Sequence, residues 1–304
     1  MTESIRSQRE AASSTPDYLT LLAYGFIVLF AGANAVGVRF TVAELPPFWG
    51  AAIRFGAAAT IFWVIALARK ASLPSGRAMI GVILYGFFSF GASYAFLYWG
   101  LQVVPAGLTQ VILALVPLMT FFAAFFHGLE SFRWRGLFGA LLAVSGIAFA
   151  FFEQPGGGLP ILPLLAIIAG AACIAEGTVI AKMYPQKDLF MTNALGTTVG
   201  TLVLFLLSVV SGESWTLPTQ TATWFAIIYL VLIGSVVVFY LYLFIVQRWT
   251  ASATSYQFVL FPFVTVLIAG WLADETINSA FIIGGALVLV GVWIGALSNT
   301  SSGK

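Results

Sequence analysis

The stretch of sequence that decides the fold occurs twice in this chain. Residues 106–130 read AGLTQVILALVPLMTFFAAFFHGLE, and residues 251–275 read ASATSYQFVLFPFVTVLIAGWLADE. The two stretches align without a gap, so that each position of the first has an equivalent position in the second. The identical pairs, which continue beyond the quoted letters, are Ala106 and Ala251, Thr109 and Thr254, Pro117 and Pro262, Glu130 and Glu275, Gly139 and Gly284, and Gly146 and Gly291. A duplicated and almost wholly apolar segment predicts a membrane bundle of two repeats, an architecture typical of solute carriers.

The composition supports a membrane location. Of the 304 residues, 61% are hydrophobic and 8% are charged, so the chain lacks the polar surface that a soluble protein of this size needs. Its apolar stretches are each close to the roughly 20 residues of a membrane-spanning helix. We therefore predict an all-α integral membrane protein with ten transmembrane helices, at residues 18–40, 47–68, 78–99, 104–127, 134–152, 160–182, 189–211, 221–246, 251–272 and 278–298.

The predicted domain organisation is two repeats between short polar tails. Residues 1–17 form a cytoplasmic tail with no apolar signal region, 18–152 the first five-helix repeat, 160–298 the second, and 299–304 a C-terminal tail. The single Cys173 excludes an intramolecular disulfide and a cysteine metal cluster, and a net charge of +2 gives no indication of a nucleic-acid partner. We expect no cofactor or metal, a lipid bilayer and a small solute as partners, and a monomer.

The distribution of positive charges predicts the orientation. Cytoplasmic loops of membrane proteins are enriched in Lys and Arg. Most cations fall on one side of the predicted topology: Arg6, Arg9, Arg69, Lys70, Arg77, Arg133, Arg135, Lys182, Lys187, Arg248 and Lys304. Only Arg39 falls on the other side, which predicts that both termini are cytoplasmic. Because each repeat has five helices, the second repeat must then be inverted relative to the first.

Two prolines are candidates for a conformational role. Pro117 and Pro262 lie about midway along the predicted fourth and ninth helices, at equivalent positions of the repeat. A proline removes a backbone donor and permits a kink. We predict that the two residues mark gating helices, the alternative being that each one bends a helix for packing.

Few ionisable residues fall inside the predicted spans. Arg54 could bind a substrate carboxylate, or it could snorkel to the surface or contact backbone carbonyls. Glu176 could couple transport to protons or hold a substrate ammonium, or it could pair with Lys182. A direct pair of Arg54 and Glu176 is not expected, since they lie about 10 and 24 Å below the outer surface at 1.5 Å per residue. His127 reads as an interfacial residue.

Neutral polar and aromatic side chains indicate a cavity, because in lipid they need protein or water partners. Tyr94 and Tyr98 lie one turn apart on the third helix. The other candidates for the lining of this chamber are Asn34, Gln110, Tyr240, Tyr256 and Gln257. The alternative for Tyr98 and Tyr256, which lie near predicted helix ends, is an interfacial aromatic belt.

These features resemble the drug/metabolite transporter superfamily with two EamA-type halves. The resemblance is carried by the run GANAVGVR at 32–39, by Arg54, and by the proline-bearing helices followed by LES at 129–131 and DET at 274–276. Within the superfamily the chain is similar to bacterial aromatic amino acid exporters of the YddG type. The resemblance implies a ten-helix basket in the inner membrane with a central substrate cavity. Ala31 departs from the family pattern, which usually has Trp before this glycine.

The expected function is the export of amino acids, aromatic or large and neutral, by alternating access between the two repeats. A cavity lined by Tyr, Phe and Gln can stack a ring and hydrogen-bond a zwitterion. The alternative is an exporter of drugs or quaternary ammonium cations that is coupled to protons through Glu176. An enzyme is not expected, because one His, one Cys and one firmly intramembrane carboxylate do not make a catalytic cluster.

Overall fold

The computed structural model describes residues 17–129, 132, 134–152, 161–249, 251–272 and 279–294. These residues form helices joined by turns, and no strand occurs among them. We label the helices in chain order: α1 Tyr18–Val42, α2 Pro47–Ala68, α3 Arg77–Leu101, α4 Ala106–Phe126, α5 Trp134–Phe152, α6 Ile161–Met183, α7 Leu189–Val210, α8 Thr221–Arg248, α9 Gln257–Leu272 and α10 Ser279–Val292. A short helix, Ala251–Ser255, precedes α9.

Within the described residues, seven helices are long and apolar enough to cross a membrane, namely α1 to α4 and α6 to α8. The prediction of an all-helical integral membrane protein is therefore confirmed. Shorter apolar segments, Gln257–Ile268 and Ile282–Gly291, lie within α9 and α10. Ten crossings and cytoplasmic termini stay predictions. Residues 1–16 and the predicted C-terminal tail lie outside the described residues.

Several of the helices are interrupted, and two interruptions follow the repeat. Helix α3 contains a π-helical segment at Phe87–Ala92, and α8 contains one at Leu232–Val237, which is the equivalent position in the second repeat. A π turn holds an extra residue and changes which side chains after it share a face. Helix α1 is interrupted at Ala33.

The two prolines have different surroundings. Helix α4 is interrupted at residues 114 and 115, and Pro117 is the second residue of the segment Val116–Phe126 that follows. Pro262 lies inside α9, which begins one residue after Tyr256. Both prolines are buried. Their proposed role in gating stays a prediction.

Equivalent helices of the two repeats pack against each other in antiparallel pairs. In the pair of α2 and α7, the Trp49 ring contacts Phe205 near one end, and the Trp63 indole donates to Thr198 Oγ1 over 3.0 Å further along. In the pair of α5 and α10, a Cβ on Gly146 would lie 2.6 Å from the Gly284 carbonyl oxygen. A Cβ on Gly291 would lie 2.6 Å from the Gly139 carbonyl oxygen, so this contact is unchanged when the two repeats are exchanged.

The packing of the first helix of each half follows the same exchange. Helix α1 packs on α8 and α9, and its equivalent α6 packs on α3 and α4. Within each half, a cation at the end of the first helix donates to carbonyls near the end of the third. Arg39 Nη1 donates to Leu101 O over 2.8 Å, and Lys182 Nζ donates to Val246 O over 3.2 Å. Leu101 and Val246 are again equivalent positions of the repeat.

Two carboxylates tie the loops of the halves together. Glu213 accepts from the backbone N–H groups of Phe48 and Trp49 over 3.1 and 2.7 Å, and so caps the first turn of α2. Glu44 accepts from the Thr219 hydroxyl over 2.6 Å. That hydroxyl, together with neighbouring donors, lowers the pKa of Glu44 to about 2.

Candidate functional site

The central feature of the bundle is a cavity lined by α1, α3, α4, α8 and α9, with single residues from α2 and α6. Its volume, measured for the centre of a water molecule, is about 110 Å³. One water needs about 10–15 Å³ by this measure, so the cavity has room for a small organic solute.

The cavity brings together six of the nine residues that the sequence predicts for substrate binding. These are Asn34, Arg54, Tyr94, Tyr98, Gln110 and Gln257. Tyr98 is buried and not part of an interfacial belt. The other three predicted residues, Glu176, Tyr240 and Tyr256, are not part of the lining.

Tyr240 lies on a face of α8 that does not line the cavity. Its ring stacks on Phe190, with ring centroids 4.5 Å apart, while Phe239 and Tyr242 line the cavity instead. The π-helical segment Leu232–Val237 interrupts the regular α-helix that the predicted stripe assumes, so side chains before and after it do not keep one regular face.

Glu176 lies away from the cavity and has a partner of its own. Its carboxylate is 2.6 Å from His127 Nε2, and both side chains are partly exposed. The alternative pair of Glu176 with Lys182 does not form, because Lys182 donates to the carbonyls of Val246 and Trp249 instead. Neither contact was visible in the sequence, since both depend on how α6 packs on α4 and α8.

Arg54 is the charged centre of the cavity and is only 1% exposed. Its Nε donates to Ser235 Oγ over 2.8 Å, and its Nη2 donates to the Gly234 carbonyl over 2.9 Å. A longer contact of 3.4 Å joins Nη1 to the Tyr98 hydroxyl. A guanidinium has five N–H donors, so these three contacts leave two for a ligand.

The described part of the chain supplies no carboxylate to Arg54. Each of its carboxylates has a partner elsewhere: Asp17, Glu44, Glu176, Asp188 and Glu213. Among the described lining residues, Arg54 is also the only one that is ionised at neutral pH. An unpaired cation costs about 2.5 to 3.5 kcal/mol at a helix centre in lipid. The cavity therefore favours a solute that carries an anionic group.

Aromatic rings surround the guanidinium. Arg54 Cζ lies 5.2 Å from the Tyr94 ring centroid, 5.3 Å from that of Phe55 and 6.0 Å from that of Phe239. These distances allow cation–π attraction, which offsets part of the cost of burial. Further lining rings that the sequence did not single out are Tyr85, Phe90, Tyr242, Phe258 and Phe261. A flat apolar group can therefore pack on rings close to the charge.

Four lining residues carry buried oxygen atoms with no hydrogen-bond partner: Asn34 Oδ1, Thr109 Oγ1, Gln110 Oε1 and Gln257 Oε1. The last three side chains are at least 97% buried. Unpaired buried polar atoms are rare, because each one costs about 1 to 3 kcal/mol. Their concentration in one cavity indicates a polar ligand.

The polar contacts around Arg54 are not duplicated by the repeat. The positions equivalent to Asn34, Arg54 and Ser235 in the other repeat are Val179, Val199 and Phe90, which have no comparable polar atoms. The bundle is duplicated, but its charged site is single. The cavity therefore presents one anchoring point per chain.

Comparisons with known proteins identify the family of the chain. The model of the EamA-like transporter family matches residues 19–152 and 161–296. The chain is 27% identical to the uncharacterized inner membrane transporter YedA of Escherichia coli K12, over 81% of this chain and 80% of that one. It is 25% identical to the uncharacterized transporter YvbV of Bacillus subtilis, over 94% and 93%. One crystal structure superposes with a TM-score of 0.67 at 18% identity, covering 93% of this chain and 98% of that one, which shows a shared fold.

The fold and the cavity define a multi-pass inner membrane transporter. More particularly, the chain belongs to the EamA-like transporter family, whose model covers both halves.

Proposed function

We propose that this transporter exports amino acids, aromatic or large and neutral, through the central cavity. The observation that carries the proposal is Arg54, a buried cation in the cavity wall that has two unused donors and no carboxylate partner among the described residues. A substrate carboxylate supplies the missing charge in a bidentate geometry that a guanidinium favours. The rings of Tyr94 and Phe239 offer surfaces for an aromatic side chain.

We further propose ten membrane crossings, cytoplasmic termini and alternating access between inverted repeats. Repeat-related helices that touch along a symmetry axis run antiparallel only when that axis is perpendicular to them. The antiparallel pairs of α2 with α7 and of α5 with α10 therefore support an axis in the membrane plane. The contacts of Arg39 and Lys182, one within each half, support the same internal arrangement of the two halves.

The alternative, a cation exporter coupled through Glu176, has less support from the structure. Glu176 is paired with His127 outside the cavity, and the cavity itself carries the positive charge of Arg54. A cation without a carboxylate is repelled there.

Transport in liposomes tests the proposal. The purified protein is reconstituted, and exchange of labelled phenylalanine, tryptophan and threonine is measured beside a quaternary ammonium dye, with and without a proton gradient. We expect saturable exchange of the aromatic amino acids and none of the dye. Gradient-driven movement of the dye alone would refute the proposal and favour the cation exporter.

A further inference from the structure

From the arrangement of Asn34 beside Arg54, we infer that the cavity contains a clamp for the head group of an α-amino acid. Arg54 holds the carboxylate, and Asn34 Oδ1, aided by other unpaired oxygens of the cavity, accepts from the α-ammonium. This inference rests on the proposed function and assigns a separate subsite to each charged group of the substrate.

The orientation of Asn34 is fixed by its other amide atom. Asn34 Nδ2 donates to the Gly234 carbonyl over 3.1 Å, which leaves Oδ1 as an acceptor without a partner. The same carbonyl accepts from Arg54 Nη2 over 2.9 Å. The amide and the guanidinium therefore lie side by side. Such neighbours suit a substrate whose ammonium and carboxylate are attached to the same α-carbon.

The shared carbonyl and the space around it depend on the π-helical segment of α8. Gly234 lies in this segment, where the regular bonding of the α-helix is interrupted and a carbonyl can serve other donors. A Cβ at this position would overlap Asn34 Oδ1, so glycine is what admits the amide. The equivalent π turn of α3 has Ser89 in place of Gly234.

Further acceptors come from both halves of the bundle. Gln110 and Thr109 lie on α4, and Gln257 lies at the start of α9. An ammonium has three donors, so it can bond to several of these oxygens at once. Because they are neutral, they cannot cancel the repulsion between an ammonium and Arg54. An amine is therefore bound only when its own carboxylate neutralises the guanidinium.

Three probes that share one ring separate the two subsites in the wild-type protein. Calorimetric titration of the purified transporter compares L-phenylalanine, 3-phenylpropionate, which lacks the ammonium, and 2-phenylethylamine, which lacks the carboxylate. We expect phenylalanine to bind at least about tenfold more tightly than 3-phenylpropionate, since hydrogen bonds to a charged group are lost. We expect no saturable binding of the amine.

Substitutions then locate the ammonium subsite. Asn34→Leu and Gln110→Met should each weaken phenylalanine binding towards the level of 3-phenylpropionate, since each variant removes one acceptor of the ammonium. Binding of 3-phenylpropionate should be unchanged, which also shows that the variants fold. Gln102→Met makes the same kind of change as Gln110→Met at an exposed position outside the cavity. It should leave the affinity for both ligands unchanged.

The possible results distinguish a failure of the clamp from a failure of the proposed function. Equal affinity for phenylalanine and 3-phenylpropionate, or an equal loss of both in the variants, overturns the clamp but leaves the carboxylate site of the proposed function intact. Binding of neither acid overturns the proposed function and the clamp together.

Discussion

Replacing Arg54 with Met should abolish amino acid binding without unfolding the protein. The change removes the two N–H donors that are left for a carboxylate. Hydrogen bonds to charged groups contribute about 1.5–3 kcal/mol each, so losing both costs about 3–6 kcal/mol, or a fall in affinity of more than about 100-fold. Arg54→Lys keeps the charge but lacks the planar fork, and we expect an intermediate loss.

The stability of the same variant should not fall together with its affinity for the amino acid. Met removes a buried cation that has no carboxylate partner in the described structure, and replacing buried ionic groups by apolar ones is often neutral or stabilising. The Gly234 carbonyl keeps its bond from Asn34. We therefore expect an unchanged or raised Tm for Arg54→Met.

Proteoliposome exchange of labelled phenylalanine over a range of concentrations gives the affinity, and thermal unfolding in detergent gives the Tm. Arg69→Met is the matched control, because Arg69 is exposed at the end of α2. Wild-type exchange by Arg54→Met, or an equal loss in Arg69→Met, would show that the anion-site reasoning is wrong.

Three further changes test other parts of the structure. Gly234→Ala should displace Asn34 and reduce phenylalanine affinity about tenfold or more, measured by calorimetry; unchanged affinity would contradict the assigned geometry. Gly146→Ala and Gly291→Ala should each cost about 1–3 kcal/mol, because each Cβ meets a backbone carbonyl; clearly unequal shifts of Tm would argue against exchange-related contacts. The pKa of Glu44 is lowered to about 2, so its contribution to stability is complete above about pH 4.5 and is lost as the pH falls towards 2. The difference in Tm between the wild type and Glu44→Gln should therefore be constant from about pH 7 to 5 and should shrink on further acidification.

Hydropathy and the repeat predict much of the fold, because both are properties of the linear sequence. Long apolar runs give the helices that span the membrane, and the spacing of the repeat also relates the π turns of α3 and α8. The central residues of the site, Arg54 and Asn34 among them, are predictable because polar side chains inside apolar helices are costly unless they face a cavity.

The parts that the sequence did not predict depend on tertiary contacts or on local helix geometry. Tyr242 lines the cavity and Tyr240 does not, and the π turn that interrupts the regular spacing of α8 is not marked by the periodicity of the sequence. Glu176 pairs with His127, which belongs to the other half of the chain, so only the packing of the two halves brings them together. Thr109 was visible only as part of the repeat, although its buried hydroxyl oxygen has no partner in the cavity.

The position of a bound solute tests the central claim most directly. A crystal structure with 4-bromo-L-phenylalanine locates the bromine by anomalous scattering and the head group by electron density. We predict one molecule per chain in the cavity, with its carboxylate on Arg54 and its ring against the aromatic wall. Density outside the cavity, or a carboxylate that makes no contact with Arg54, would contradict the account.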